Sequence, residues 1–148
     1  MRAVVQRVAA ARVTVAERML GSIGDGLVVL LGVANDDTSD DGDWLLDKLL
    51  DLRIFENDSG KFDRSVRDVA GALLVVSQFT LLADTRKGRR PSFTDAARPD
   101  VAVPLYERFV TRARAQGVRV ATGEFGAHMR VELTNDGPVT IILDSRDR

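Results

Sequence analysis

Leu73 to Phe93 reads LLVVSQFTLLADTRKGRRPSF. Leu73-Leu74-Val75-Val76 is apolar on successive residues, which marks a buried strand. Ser77 and Gln78 break that pattern, Phe79-Thr80-Leu81-Leu82 follow, and the next loop carries Arg86, Lys87, Arg89 and Arg90. A buried strand that ends in a hydroxyl and an amide and runs into a group of cations has the makings of a site. The apolar backbone fixes geometry, the polar groups meet a ligand, and the positive charge meets an anion.

Upstream, residues 2–9 and 12–15 read as two runs of strand, and 19–23 as a partner strand after a turn at Glu17-Arg18. Asp25-Gly26 closes a tight turn. Leu27-Val28-Val29-Leu30-Leu31-Gly32-Val33 is apolar throughout, as in a strand covered on both faces. Thr38 or Ser39 caps a helix over about 39–52, with Asp40, Asp41 and Asp43 in its first turn, where the helix dipole favours negative charge. Leu45, Leu46, Leu49, Leu50 and Leu52 form its apolar face, and its acidic face reads as solvated. Residues 53–56 read as a short strand before the turn Asn57–Gly60.

Downstream, Pro99 opens a second helix, Val101, Leu105, Phe109 and Ala113 mark its apolar face, and Gly117 stops it. Residues 118–122 read as a strand. Met129, Val131 and Leu133 alternate with Arg130, Glu132 and Thr134, the period of a half-covered strand. Asn135-Asp136-Gly137-Pro138 reads as a turn into a last strand, 139–143. With two main helices for about eight strands, one sheet keeps an apolar face unless a second sheet covers it. The reading is α/β: a three-layer β/β/α arrangement with mixed sheets in a single domain over 1–148.

Composition removes several chemistries. The formal charge is −1, so anion binding has to come from a local patch. The 21 basic residues include three lysines (Lys48, Lys61, Lys87), leaving 18 arginines, the side chain suited to planar phosphate contacts. With no cysteine there is no disulfide or thiolate nucleophile; His128, the only histidine, shares no catalytic motif with another residue as a Ser-His-Asp triad would require, and alone it falls short of an ordinary zinc ligand set. No Walker glycine loop or dinucleotide fingerprint occurs. No metal or cofactor is expected. The longest apolar run is too short for a bilayer and the N-terminal residues do not read as a signal peptide; a cytoplasmic protein is expected.

What remains is chemistry run by backbone groups, hydroxyls and local cations. Hydrolysis of an activated ester fits, because backbone N–H groups at the Ser77–Thr80 strand end can stabilise its oxyanion. On residues alone, a strand ending in polar residues and a solvated basic loop account for the same pattern. Thr80 as a nucleophile lacks a visible base.

Ser77-Gln78-Phe79-Thr80-Leu81 and Asn135-Asp136-Gly137-Pro138-Val139-Thr140 resemble the two signature motifs of the D-aminoacyl-tRNA deacylase family. The resemblance extends along the chain through Val5-Gln6-Arg7-Val8, Arg53-Ile54-Phe55, Thr85 to Phe93 and Pro104-Leu105-Tyr106. It implies the fold of that family and an editing enzyme that hydrolyses the ester of D-aminoacyl-tRNA, and of glycyl-tRNA mischarged on tRNA for alanine. It also implies a homodimer with active sites at the subunit boundary. A cis Gly137-Pro138 peptide would enter the partner's site, bind the substrate amino group through its carbonyls and leave no room for an L side chain. N–H groups near Phe79 and Thr80 would face the ester carbonyl, and Ser77 and Gln78 would shape the pocket. Catalysis would use either the Thr80 hydroxyl or the 2′-hydroxyl of the terminal adenosine. Phe125 and Met129 would hold adenine, Arg86, Lys87, Arg89 and Arg90 would meet the tRNA, and Arg7 would brace the Gly-Pro loop. No role is implied for His128. The competing reading is a non-catalytic tRNA-binding module that uses the basic loop.

Overall fold

The computed structural model describes residues 1–148. Its strands and helices are β1 (Arg2–Val15), β2 (Arg18–Ile23), β3 (Gly26–Gly32), α1 (Ser39–Asp51), β4 (Phe55–Glu56), β5 (Phe62–Arg64), β6 (Ala72–Ser77), α2 (Pro99–Ala115), β7 (Val120–Thr122) and β8 (Met129–Asp144), with a 3-10 turn at Phe79–Leu82. The main sheet runs β2-β1-β3-β6-β7, with β8 on the other edge of β1. The sheet is mixed: β1 pairs antiparallel with β2, β3 and β8, while β3–β6 and β6–β7 are parallel.

The side-chain alternation of β3 and β6 explains the layers. Leu27, Val29, Leu31, Leu73 and Val75 point into a large core shared with α1 and α2. Val28, Leu74 and Val76 point the other way, into a smaller core with Val13 and Ile23 from the far ends of β1 and β2. Because strand neighbours alternate between faces, an unbroken apolar run is what a strand between two cores requires. The β/β/α layering inferred from the count of helices and strands is found, but both β layers belong to one six-stranded sheet, whose β2 and far end of β1 cover β3 and β6.

The structure corrects several local readings. Residues 2–15 are one strand rather than two, with Ala9 an extra residue where the register against β8 shifts between Val8 and Ala10. β1 thereby changes which face it shows: Ala3 and Val5 enter the large core, Ala11 and Val13 the small one. Residues 135–138 are no hairpin. β8 runs straight through, and between the pairs Gln6↔Thr140 and Val8↔Asn135 the four residues 136–139 stand against the single Arg7. A bulge of this kind expels residues without reversing the chain. Phe62–Arg64, unmarked in the sequence reading, pairs with β4. The strand at 118–122 shortens to Val120–Thr122.

The helix faces also shift. In α2 the buried residues are Ala102, Tyr106, Phe109, Val110 and Ala113, while Val101 is exposed and Leu105 half-buried. Four-residue steps turn about 40° past a full circle each time, so a ridge read that way drifts off the core. Gly117, at φ 81°, ends α2 with Val118 N–H on the Ala113 carbonyl and Gly117 N–H on that of Arg114. The acidic face of α1 is not merely solvated. Asp43 takes Arg108 at 2.7 Å and Arg112 at 3.2 Å from α2, and the Arg108 hydrogen bond is the main reason its carboxyl titrates below the usual range. No helix is long and apolar enough to cross a membrane.

Candidate functional site

β6 outruns its neighbour. β7 ends at Thr122, opposite Val75, so beyond that pair the outer edge of β6 is open. Ser77 is the last strand residue, paired in register with Leu31. Gln78 still donates its N–H to the Leu31 carbonyl at 2.8 Å, but its backbone has left the strand region (φ −142°, ψ 79°). Phe79 and Thr80 therefore lie on a 3-10 turn, not on a strand end. Its bonds begin with Leu81 N–H to Gln78 O, 3.3 Å, and continue with Ala83 N–H to Thr80 O, 3.1 Å. The N–H groups of Phe79 and Thr80 precede the first bonded donor of the turn, as the opening donors of any helix do.

Facing this turn is the segment 125–129. Ser77, Gln78 and Phe79 line a 270 Å³ pocket together with Phe125, His128 and Met129. α2 buttresses it from behind: Tyr106 donates its hydroxyl to the Val75 carbonyl at 2.8 Å and meets Phe125 edge-on with ring centroids 6.2 Å apart. Burial pushes the Tyr106 phenol up to about 12, so it remains a donor at any working pH. Thr80 lies just outside the pocket lining, with its Oγ1 against the side-chain amide of Gln78. An amide is no base in either orientation, so this partner cannot take a proton from the hydroxyl. His128, without a role in the sequence reading, stands exposed at the rim; its lead-in position before β8 carries no motif that would have marked it. A larger groove of 460 Å³ on the β1–β2–β8 face, around Ala10, Met19 and Leu133, contains none of the candidate residues.

The basic loop is mounted beside the turn. Asp84 and Ser92 exchange both backbone hydrogen bonds, at 2.8 and 2.9 Å, closing 85–91 into a loop. Phe93 then packs edge-on against Phe79, centroids 5.0 Å apart. Arg86 is not a free cation. Its Nε and Nη2 grip the two carboxylate oxygens of Asp84 at 2.9 and 2.7 Å, and that contact draws the Asp84 carboxyl down to about 2. Lys87, Arg89 and Arg90 are exposed and form no salt bridge.

The second motif sits elsewhere. Asp136, Gly137 and Pro138 are exposed on the β8 bulge, and the Gly137–Pro138 peptide is cis. A Cβ on Gly137 would lie 2.5 Å from the Val139 nitrogen, so the bulge closes only around glycine here. Asn135 spans its base, accepting from Val139 N–H and donating to Val139 O, both at 3.0 Å. Arg7, 6% exposed, holds it from behind, donating to the Asp136 carbonyl at 2.9 Å and the Ile54 carbonyl at 2.7 Å. Its guanidinium lies 5.5 Å from the Phe62 ring centre, which is what β5 contributes. Arg7 pairs with Leu27, whereas Ser77 pairs with Leu31. The bulge is thus about 13 Å away along the strand direction and, with β1 and β3 between, about 14 Å away across the strands. One chain brings Ser77, Gln78, Phe79, Phe125 and Met129 together and keeps Gly137 and Pro138 apart from them.

The family model described as D-Tyr-tRNA(Tyr) deacylase matches residues 4–144. The D-aminoacyl-tRNA deacylase of Clostridioides difficile is 61% identical over 98% of this chain and 97% of its own length. The chain belongs to the D-aminoacyl-tRNA deacylase family. The deacylase of Kosmotoga olearia is 60% identical over 99% of this chain and 98% of its own length. Among solved structures, the c-Myc DNA Unwinding Element Binding Protein superposes with a TM-score of 0.91 at 42% identity, over 97% of this chain and 98% of that one. A probable eukaryotic D-amino acid tRNA deacylase shares the fold at 22% identity, with a TM-score of 0.83 and the same coverage.

Proposed function

We propose that this chain edits aminoacyl-tRNA as a homodimer, hydrolysing the ester between a D-amino acid and the tRNA 3′ end. Water adds to the ester carbonyl, the acyl C–O bond breaks, and free D-amino acid and tRNA leave. The observation that carries this reading is the pocket at the open end of β6, with the leading N–H groups of Phe79 and Thr80 beside it. Backbone donors held in a folded turn can stabilise the developing oxyanion without reorganising. An aminoacyl ester is already reactive, so strong general-base help from a side chain is not needed. Because Thr80 lacks a proton acceptor, the 2′-hydroxyl of the terminal adenosine is the better group to orient the attacking water. Phe125 and Met129 offer the flat apolar surface that adenine needs, and Lys87, Arg89 and Arg90 meet backbone phosphate.

The separation of the Gly137–Pro138 bulge from the pocket within one chain supports a shared site. The second copy inserts its bulge, and its main-chain carbonyls accept from the substrate ammonium. That fills the space an L side chain would need, so specificity comes from exclusion. Glycine has no side chain to exclude, and glycyl-tRNA mischarged on tRNA for alanine is also a substrate. The reaction belongs where charged tRNA is, in the cytoplasm.

The test pairs one D-aminoacyl-tRNA with its L counterpart under single-turnover conditions, beside a tRNA binding curve. Release from the D ester with the L ester spared is expected. Equal rates would discard selection by handedness, and binding without release would favour a non-catalytic tRNA-binding module.

A further inference from the structure

The 3-10 turn carrying Phe79 and Thr80 ends abruptly. Were it to continue, the N–H of Asp84 would take the Leu81 carbonyl, but Asp84 N–H goes instead to Ser92 O. The Leu81 carbonyl is satisfied from β1: Arg2 Nη1 donates to it at 2.9 Å. The same guanidinium is locked at its other edge, with Nε and Nη2 each 2.9 Å from Oδ2 of Asp144. Asp144 is itself held, because its Oδ1 accepts from the Arg146 N–H at 3.0 Å.

Register makes this a row across the sheet. Arg2 pairs with Asp144 on one side and Gly32 on the other. Gly32 is the floor under the turn: a Cβ there would lie 2.6 Å from Leu82 Cδ2 and 3.0 Å from the Gln78 carbonyl oxygen. The backbone of Arg2 cannot drift, because Met1 before it is buried. The Met1 ammonium sits 2.6 Å from both Asp37 Oδ1 and Ser145 Oγ, and its carbonyl accepts from Ser145 N–H at 2.8 Å.

We infer that Arg2, braced by Asp144, is a positioning residue that caps the 3-10 turn at the Leu81 carbonyl and so sets where the Phe79 and Thr80 N–H groups aim. This rests on the proposed role of those groups in the reaction. The turn has its N-terminal end tied to Leu31, its underside against Gly32, and its C-terminal end tied to Arg2. A cation at the C-terminal carbonyls also suits the turn's dipole. The Asp84–Ser92 bridge fixes the residues after the turn but leaves the Leu81 carbonyl free to rotate. An ordinary surface ion pair contributes little; this one differs in that its third arm reaches a backbone group of the site.

The experiment compares the full chain with Arg2→Met, Arg2→Lys and Asp144→Asn. Two readouts are taken: amide hydrogen exchange residue by residue, and single-turnover deacylation of D-aminoacyl-tRNA over a range of enzyme concentrations. Arg2→Met should speed exchange at Leu81, Leu82 and Ala83 by about tenfold while β3 and α2 stay as they were. It should slow the saturating deacylation rate by about tenfold, with half-saturation moved by less than about twofold. Arg2→Lys recovers part of both, since an ammonium keeps the charge but cannot span Leu81 and Asp144 together. Asp144→Asn moves both in the same direction by less, and stands in if Arg2→Met does not fold. Unchanged exchange at the turn, or exchange rising evenly over the sheet, overturns the inference. A slower rate without faster exchange makes Arg2 a substrate contact and overturns it equally. If the unaltered chain releases no amino acid, the proposed reaction falls and the exchange result alone decides whether the cap exists.

Discussion

The two signature segments of this chain are built in opposite ways. The Ser77–Leu82 turn is held mainly by backbone, through Gln78 N–H on Leu31 O and its own 3-10 bonds, with the Arg2 guanidinium as a cap. The Asp136–Pro138 bulge is held by side chains: Arg7 from beneath and Asn135 across its base. The turn makes a concave pocket, and the bulge makes a projection. Apart from its Arg2 cap, the turn should tolerate the loss of single side chains, whereas the bulge should not, so substitutions should separate the two.

The largest effect is expected at Arg7. Arg7→Met keeps the buried stem but strips the donors from the Ile54 and Asp136 carbonyls. Leaving buried polar groups unpaired costs about 3 kcal/mol in total, read as a fall in the urea midpoint at constant slope. The surviving fraction should also discriminate D from L esters poorly, since the bulge no longer projects at a fixed angle. Asn135→Ala comes next. It removes both hydrogen bonds to Val139 and should lose about 1.5 kcal/mol, with pocket-side exchange unchanged. An equal disturbance of the Ser77–Leu82 amides in either variant would erase the contrast.

On the pocket side, Tyr106 gives a spectroscopic handle, because it is the only tyrosine in the chain. Its phenol is pushed up to about 12 by burial from an ordinary value of 10. Ultraviolet titration at alkaline pH should therefore find the native midpoint near that higher value. The sign follows from the raised value. The stabilisation from the neutral phenol is fully present below the ordinary value and is lost as pH climbs through the folded one. Tyr106→Phe should lose about 1 kcal/mol by orphaning the Val75 carbonyl, and a native midpoint near the ordinary value would mean that the hydroxyl reaches solvent.

Part of this architecture is legible in the sequence. The buried strands β3 and β6 were legible because a strand between two cores has no polar face. The start and end of the helices were legible because Thr38, Pro99 and Gly117 are local signals. The bulge was not, because Asn135-Asp136-Gly137-Pro138 is good turn chemistry in any context. β8 runs forward because it pairs with β1 on both sides of the bulge, and Arg7 takes up the expelled Asp136 carbonyl, a contact 129 residues distant in sequence. The pairing of Phe125 and Met129 with Ser77 came from resemblance alone. Nothing in residues 125–129 announces which strand end they will face. The Arg86–Asp84 pair was equally hidden, since a run of cations gives no sign that one is already neutralised.

That pair divides the basic loop. Alanine at Lys87, Arg89 or Arg90 should each lower the salt slope of tRNA binding by about 1, and Arg86→Ala by less, because Asp84 already holds its charge. Asp84 is drawn down to about 2 from an ordinary 3.8, so the pair's contribution is present above the ordinary value and fades only as pH falls toward the lower one. Binding at neutral pH should not report it, and a slope change for Arg86 equal to that for Arg89 would return Arg86 to the phosphate-contacting set.

Thr80→Ala is expected to do least. The Thr80 N–H survives the substitution, and the hydroxyl it removes has only the Gln78 amide as partner. A nucleophilic alkoxide needs a base within hydrogen-bond reach, and none lies there. Loss of the hydroxyl should therefore slow single-turnover release from D-aminoacyl-tRNA by no more than about threefold, well short of the 100-fold or so typical of a deleted oxyanion donor. The contrasting probe is the substrate: a tRNA ending in 2′-deoxyadenosine should be cut much more slowly by both the unaltered chain and the variant. A complete loss in Thr80→Ala, with exchange at Leu81–Ala83 and tRNA affinity intact, would move the chemistry from the backbone of the turn to its one hydroxyl. The turn would then depend on a side chain as much as the bulge does, and the distinction between the two segments would fail where it matters most.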